Sequence, residues 1–210
     1  MLIAIDGPAA SGKGTLARRL AAHYRLRHLD TGLTFRAVGA ELVASGRPLD
    51  DERAAITIAE TLDLEHLDRE RLNAHGVGEA ASKVAVMPGF RKAMVARQRA
   101  FAREGAGAVL DGRDIGTVVL PDATAKLFVT ADAATRAMRR AAEIRSRGGE
   151  ASDEAILADL ARRDRRDAER ATAPLKAAED AHLLDTTGMD IETAFRAAVD
   201  IVERARAERD

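Results

Sequence analysis

The stretch GPAASGKGT at residues 7–15 gathers the residue types that hold phosphate. Gly7 and Gly12 permit backbone conformations that a side chain would block, so successive N–H groups can turn toward one anion. Lys13 has the reach and charge to meet terminal phosphates, and Thr15 offers a hydroxyl to a phosphate oxygen or to a metal ion. The strict phosphate-loop pattern wants that hydroxyl directly after the lysine, whereas here Gly14 intervenes. LIAID precedes the loop and LARRLAAHY follows it, so strand, turn and helix come in the order that brings backbone amides and a helix N-terminus onto an anion. By itself the loop reads as a nucleoside triphosphate site, with Gly7, Pro8, Ala9, Ala10, Ser11, Gly12, Lys13, Gly14 and Thr15 as its contacting residues.

Three further segments carry chemistry. In HLDTGLTFR (28–36), Asp30 and Thr31 end a second apolar run, Gly32 permits a tight turn, and Arg36 follows about one helical turn later. The planar arginine fork suits a phosphate, though Thr31 as a simple helix cap with a solvated Arg36 is the bland alternative. In DGRDIGTVVLPDA (111–123), Asp111 closes a strand where it could orient waters around Mg²⁺, and Gly112 bends the chain so that Arg113 and Asp114 aim into a cleft. A salt-bridged turn is the alternative there. RRDRRDAER (162–170) holds five arginines in nine residues. Arg163, Asp167 and Arg170 stand at i, i+4 and i+7, which predicts arginine, carboxylate and arginine on one helical face. Read alone, such a run is a solvated surface with pairs worth a few tenths of a kcal/mol, and Arg162 and Arg166 are expected to stay solvated.

The elements that must position these residues follow from hydrophobic patterning. Short apolar runs at 2–5, 27–30, 108–111, 126–130 and 182–186 are too short for helices, and helical patterns separate them. The alternation predicts an α/β fold: a five-stranded parallel sheet with helices on both faces. In such sheets ligands lie beyond the carboxyl ends of the strands, and the chain gathers polar residues there, within 6–14, 30–32 and 111–114. The gap between the second and third runs exceeds one crossover helix and predicts an insertion at 36–100. Residues 136–170 predict a helical hairpin, turning at RGGEASD with Ser152 capping the second helix and acids in its first turn. The last stretch of the chain reads as an amphipathic helix.

Composition narrows the function classes. The chain has 210 residues, 46% of them hydrophobic but only 3% aromatic, so its core is aliphatic and base-stacking platforms are scarce. With a formal net charge of -1 no global field draws polyanions, and nucleic acid is not an expected partner. The absence of cysteine removes disulfides and thiolate metal sites. No signal-peptide pattern or long apolar span is present, which predicts a cytoplasmic protein without a membrane partner. A monomer is the default expectation.

Taken together, GKGT in the loop, DTGLTFR, DGRDIGTVVLPDA, ASKVAVMPGFR and RRDRRDAER resemble the cytidylate kinases, P-loop nucleoside monophosphate kinases, over nearly the whole chain. The resemblance implies transfer of a phosphoryl group from ATP, with Mg²⁺, to CMP and dCMP. It implies that Thr31, Arg36, Ser82, Arg91, Arg113, Asp114, Arg163, Asp167 and Arg170 bind CMP, and that Lys13, Arg113, Arg163 and Arg170 act in catalysis. It places Arg113 on the acceptor phosphate, Asp114 at the cytosine amino group, Ser82 and Arg91 at the base acceptors, and the arginine helix at ribose and phosphate. It divides the chain into a kinase core (1–35, 101–135 and 171–210), a CMP-binding insertion (36–100) and a helical lid (136–170), the lid carrying Arg136, Arg139, Arg140, Arg145 and Arg147. Two departures stand out. Phe35 replaces the motif's tyrosine, and residues 62–85 lack most of the short strands that family members carry there. A UMP/CMP kinase, a shikimate-type kinase and a nucleotide-binding regulatory module are the alternative readings.

Overall fold

All five expected strands form, and they pair in parallel in the computed structural model, which describes residues 1–74, 76–150 and 152–209. They are β1 (Leu2–Asp6), β2 (Arg27–Asp30), β3 (Ala108–Gly112), β4 (Ala125–Thr130) and β5 (His182–Asp185), in the order β2-β3-β1-β4-β5. Central β1 runs in register with β3 from Leu2 opposite Ala108 to Asp6 opposite Gly112. The loops that leave these two neighbours therefore start side by side. That divergence is where ligands of open parallel sheets bind.

Alternation along β1 sorts its side chains onto two cores. Ile3 and Ile5 pack with Leu16 and Leu20 of α1 (Lys13–Tyr24) and with Ala198 and Val202 of α9 (Ile191–Ala207). Ala4 faces the other way, toward Phe101 of α6 (Pro88–Arg103) and Ile115. Each fully buried Ile or Leu stabilises by roughly 1.5–3 kcal/mol, so the sheet is a stiff base for the loops at its edge.

The 36–100 insertion is helical. α2 (Thr31–Ala44), α3 (Glu52–Thr61), α4 (Arg69–Leu72) and α5 (Val77–Val84) precede α6, and among the described residues no strand interrupts them. Val38, Leu42, Val84, Phe90 and Met94 close a separate apolar core there. Asp51 and Asp68 fix the starts of α3 and α4 by accepting backbone N–H bonds, as N-cap carboxylates do.

The expected helical hairpin forms from α7 (Ala133–Ser146) and α8 (Asp153–Glu169). Ser152 accepts from Ala155 N at 3.4 Å, and Asp153 and Glu154 occupy the first turn. Ala137, Ala141, Ile156 and Leu160 pack together with Ala9, so the hairpin rests on the phosphate loop. Buried Arg136 fastens it: the guanidinium donates to Ala131 O at 3.0 Å and Ala9 O at 3.2 Å and pairs with Asp164 at 2.7 Å. Among the described residues no helix is long and apolar enough to cross a membrane.

Candidate active site

A cleft of about 660 Å³ opens beyond the carboxyl ends of β1, β2 and β3. The phosphate loop forms its floor. Gly7 has φ +152, and a Cβ there would stand 2.0 Å from Val129 O, so only glycine lets the loop pass β4. Gly12 takes φ +89 as the N-cap of α1, and Ala10 adopts φ +60, a left-handed strain characteristic of functional turns. Ser11 Oγ is buried without a hydrogen-bond partner among the described residues. Thr15, by contrast, is exposed on the first turn of α1 and accepts from Arg18 at 3.3 Å.

Lys13 Nζ donates to Pro8 O at 3.1 Å. Burial pushes its ammonium down to about 7, Arg113 adds repulsion, and Asp111, Asp30 and Asp167 pull the other way. His28 Nε2 lies within hydrogen-bond distance of Asp111 Oδ1, at 2.8 Å, and the other Asp111 oxygen lies 3.5 Å from where a Cβ on Gly14 would stand. Asp30 caps α2 through Leu33 N at 3.2 Å, and burial followed by Asp111 raises its carboxyl. The capping role falls to Asp30, whereas Thr31 turns its hydroxyl into Asp111 O at 2.8 Å. Among the described residues no group of three His, Cys, Asp or Glu is arranged to hold a metal ion.

A second cavity of about 100 Å³ adjoins the cleft, lined by Thr31, Phe35, Ser82, Arg91, Asp114 and Arg170 among others. Arg91 and Asp114 form a buried ion pair, and the Arg91 guanidinium lies 5.5 Å from the Phe35 ring centre. Arg113 pairs with Asp167 at 2.9 Å. Arg36, Arg113 and Arg163 belong to the walls of both cavities, so the two chambers share a cationic partition. Burial lowers Arg36 to about 10, with Arg163 the next contributor; it also lowers Arg163, with Arg113 next, and Arg170, with Arg91 next.

One geometric expectation needs correcting. Arg170 does not continue the face of α8: it is the C-cap, with ψ 128, and leaves the helix as its guanidinium donates to Ala173 O at 3.2 Å. The extended backbone still delivers its side chain to the second cavity alongside Arg163 and Asp167. Of the lid arginines, Arg139, Arg140 and Arg147 line the larger cleft, and Arg139 also donates to Thr186 O at 2.7 Å. Arg136 is the structural clamp described above, while Arg145 pairs with Asp153 at 2.9 Å.

Sequence patterning gave no individual role to three residues at the site. Asp6 accepts Ile115 N at 2.8 Å and Gly116 N at 2.7 Å, tying the residue before the phosphate loop to the segment after Asp114. Burial raises its carboxyl to about 6 against the opposing effect of those two N–H bonds. Arg69 and Asn73 also line the larger cleft, from and just after α4. An aspartate next to Gly7 on a strand end was a legible signal; nothing in the spacing marked Arg69 or Asn73.

A family model described as Cytidylate kinase matches residues 3–204. A cytidylate kinase from Mesorhizobium japonicum is 62% identical over 208 residues, covering 99% of this chain and 96% of that protein. One from Rhodopseudomonas palustris is 57% identical over 209 residues, covering 100% and 99%. Among solved structures, an uncharacterized protein from Eubacterium ventriosum superposes with a TM-score of 0.56 at 17% identity, covering 97% of this chain and 98% of that one, a likeness of fold alone.

Proposed function

The chain belongs to the cytidylate kinase family and is a nucleotide phosphotransferase, and on that premise we propose that it moves the γ-phosphoryl group of ATP to the 5′-phosphate of CMP and of dCMP. The shared arginine partition between the two cavities carries this reading, because a donor phosphate in one and an acceptor phosphate in the other would meet along Arg36, Arg113 and Arg163. In the reaction an oxygen of the acceptor phosphate bonds to the γ-phosphorus as the bond to the ADP oxygen breaks. The acceptor is already an anion near neutral pH, so no general base is needed. The protein's work is in-line positioning, charge neutralisation and removal of water.

The loop amides, Lys13 and Thr15 hold the donor phosphates, and Arg36, Arg113 and Arg170 hold the acceptor phosphate. Arg163 and Asp167 reach ribose and phosphate. Mg²⁺ supplies neutralisation of the polyphosphate when bound. The cleft fits an ion carried mainly by phosphate and water, since its lining offers scattered oxygens, among them the exposed Thr15 hydroxyl and the Asp111 and Asp30 carboxylates, and no cluster of three ligating side chains among the described residues. The core, the 36–100 insertion and the 136–170 lid act as three units, and closing the outer two over the core keeps water from the transferred group. The working form is a monomer.

Base choice rests on the second cavity. Cytosine presents an N4 amino donor beside the N3 and O2 acceptors, which an Asp114 carboxylate and the Arg91 and Ser82 donors complement. Uracil reverses the first two and would leave buried polar groups unpaired, a mismatch that binding sites penalise strongly. ATP consumption with CMP, dCMP, UMP and AMP at fixed Mg²⁺ tests this, with CMP and dCMP expected to lead. UMP or AMP turnover equal to that of CMP overturns the cytosine assignment. Arg113→Ala is expected to lower kcat/KM for CMP by about 10²–10³ while ATP affinity stays within a few-fold, and an equal loss of ATP binding removes Arg113 from the acceptor.

A further inference from the structure

The short helix α4 stands in the wall of the phosphate cleft, within the insertion that departs most from the family pattern. From it the Arg69 side chain reaches Asp30, with Nη2 donating to Oδ2 at 3.2 Å. Asp30 Oδ1 is committed to Leu33 N, so a single oxygen holds Arg69 through a single nitrogen. The Arg69 guanidinium makes no other hydrogen bond among the described residues, and the side chain is 42% exposed while lining the cleft. Lys13 and Arg69 both act electrostatically on the same partly buried Asp30 carboxylate. That puts Arg69 near the phosphate-loop lysine.

The same helix also sets Arg36. Nη1 of Arg36 donates to Leu72 O at 3.2 Å and to Asn73 Oδ1, while Asn73 Nδ2 donates back to Arg69 O at 2.8 Å. Arg36 makes no other side-chain hydrogen bond among the described residues, so α4 braces it on one edge and leaves Nε and Nη2 free. One short element thus fixes one arginine and presents a second into the same chamber. A surface Asp–Arg pair would contribute little by itself. This one combines an uncommitted guanidinium edge with a place in the cleft beside Arg36, which is what a phosphate dianion requires.

We propose that Arg69 is a further phosphate-binding residue of the acceptor site, its free edge taking an oxygen of the incoming 5′-phosphate while Asp30 keeps the remaining nitrogen. The inference rests on the cytidylate kinase reading above. It does not follow from the family motifs, because Arg69 lies outside all of them.

The test is steady-state kinetics of the full chain with CMP and ATP varied independently, for wild type, Arg69→Ala and Arg69→Lys, together with calorimetric binding of CMP and of cytidine. Arg69→Ala is expected to raise the KM for CMP about tenfold to hundredfold, the range for a hydrogen bond between charged groups, and to leave the KM for ATP within about twofold. Arg69→Lys recovers part of the loss, since an ammonium still serves a phosphate as a point charge. CMP binding weakens while cytidine binding does not, because cytidine has no phosphate for Arg69 to hold. A KM for CMP within twofold of wild type overturns the proposal, as does equal weakening of CMP and cytidine. A rise confined to ATP moves Arg69 to the donor side and overturns it as well. A wild-type chain without CMP turnover sinks the underlying reading instead, so the two failures are distinguishable.

Discussion

Lys13 is the phosphate-loop residue whose protonation donor binding is expected to change. With its ammonium lowered to about 7 by burial and by Arg113, the empty protein holds it half neutral at pH 7. A polyphosphate favours the charged form, so donor binding must take up a proton wherever the empty site lacks one. For a group titrating at about 7, the protonated fraction falls from about one half at pH 7 to about one hundredth at pH 9. The Kd for ATP therefore rises about fiftyfold over that range, with proton uptake climbing from about one half toward one. The groups facing Lys13 are Asp111, Asp30, Asp167 and Arg113. Calorimetric titrations of ATP without acceptor, at pH 7, 8 and 9 in buffers of different ionisation enthalpy, measure both quantities. Lys13→Met binds more weakly but loses the uptake and the slope. A wild-type Kd constant within twofold from pH 7 to 9, with no proton uptake, refutes the reasoning. The sign extends to stability: between pH 7 and the ordinary lysine value of 10.5 the unfolded chain binds the extra proton, so this group makes the empty fold more stable as pH rises.

Gly7→Ala places a Cβ 2.0 Å from Val129 O, which forces the loop off β4. ATP affinity is expected to fall more than about 100-fold and stability by about 1–3 kcal/mol, in the range of overpacking at a strained turn; unchanged ATP binding in titration would show that the loop tolerates the shift. Asp6 has a folded-state value of about 6 against 3.8, so its contribution is fully present below pH 3.8 and is lost as pH rises through 6. Thermal unfolding from pH 4 to 7 should show wild type losing up to about 1–3 kcal/mol relative to Asp6→Asn, and a gap independent of pH would contradict the assigned shift.

The strands were legible because each is a short apolar run bounded by polar residues, and burial on both faces of a parallel sheet demands that pattern. The glycine-rich loop was legible for a different reason: Gly7 is required by the approach of Val129 O, and no other residue fits. Spacing failed where a side chain's direction depends on packing beyond its own element. Arg136 and Arg139 are three residues apart on α7, yet one is buried against Ala9 O and Asp164 while the other borders the cleft. Arg170 looked helical from its spacing, but the chain turns extended at that residue. Arg69 was invisible because DRER reads as an ordinary solvated charge run, and its meaning depends on α4 meeting Asp30 at the end of a distant strand.

The same long-range packing explains how a chain of net charge -1 builds a site for two anionic substrates. The cations there destabilise one another in sequence: Arg163 disfavours the charge on Arg36, Arg113 disfavours those on Arg163 and Lys13, and Arg91 disfavours that on Arg170. Carboxylates answer part of this, among them Asp167 at Arg113, Asp114 at Arg91 and Asp159 at Arg163, while the hydrogen bonds of Arg36 go to the neutral Leu72 carbonyl and the Asn73 amide. A carboxylate in place of Asn73 would neutralise Arg36 in the empty site and compete with the acceptor phosphate for it. With a neutral brace the repulsion persists until phosphate arrives, and its relief adds to the binding free energy. On the proposed reading, that relief is greatest when both phosphates stand at the shared partition. A partly compensated cluster therefore favours, on that reading, the reacting complex over either substrate bound alone.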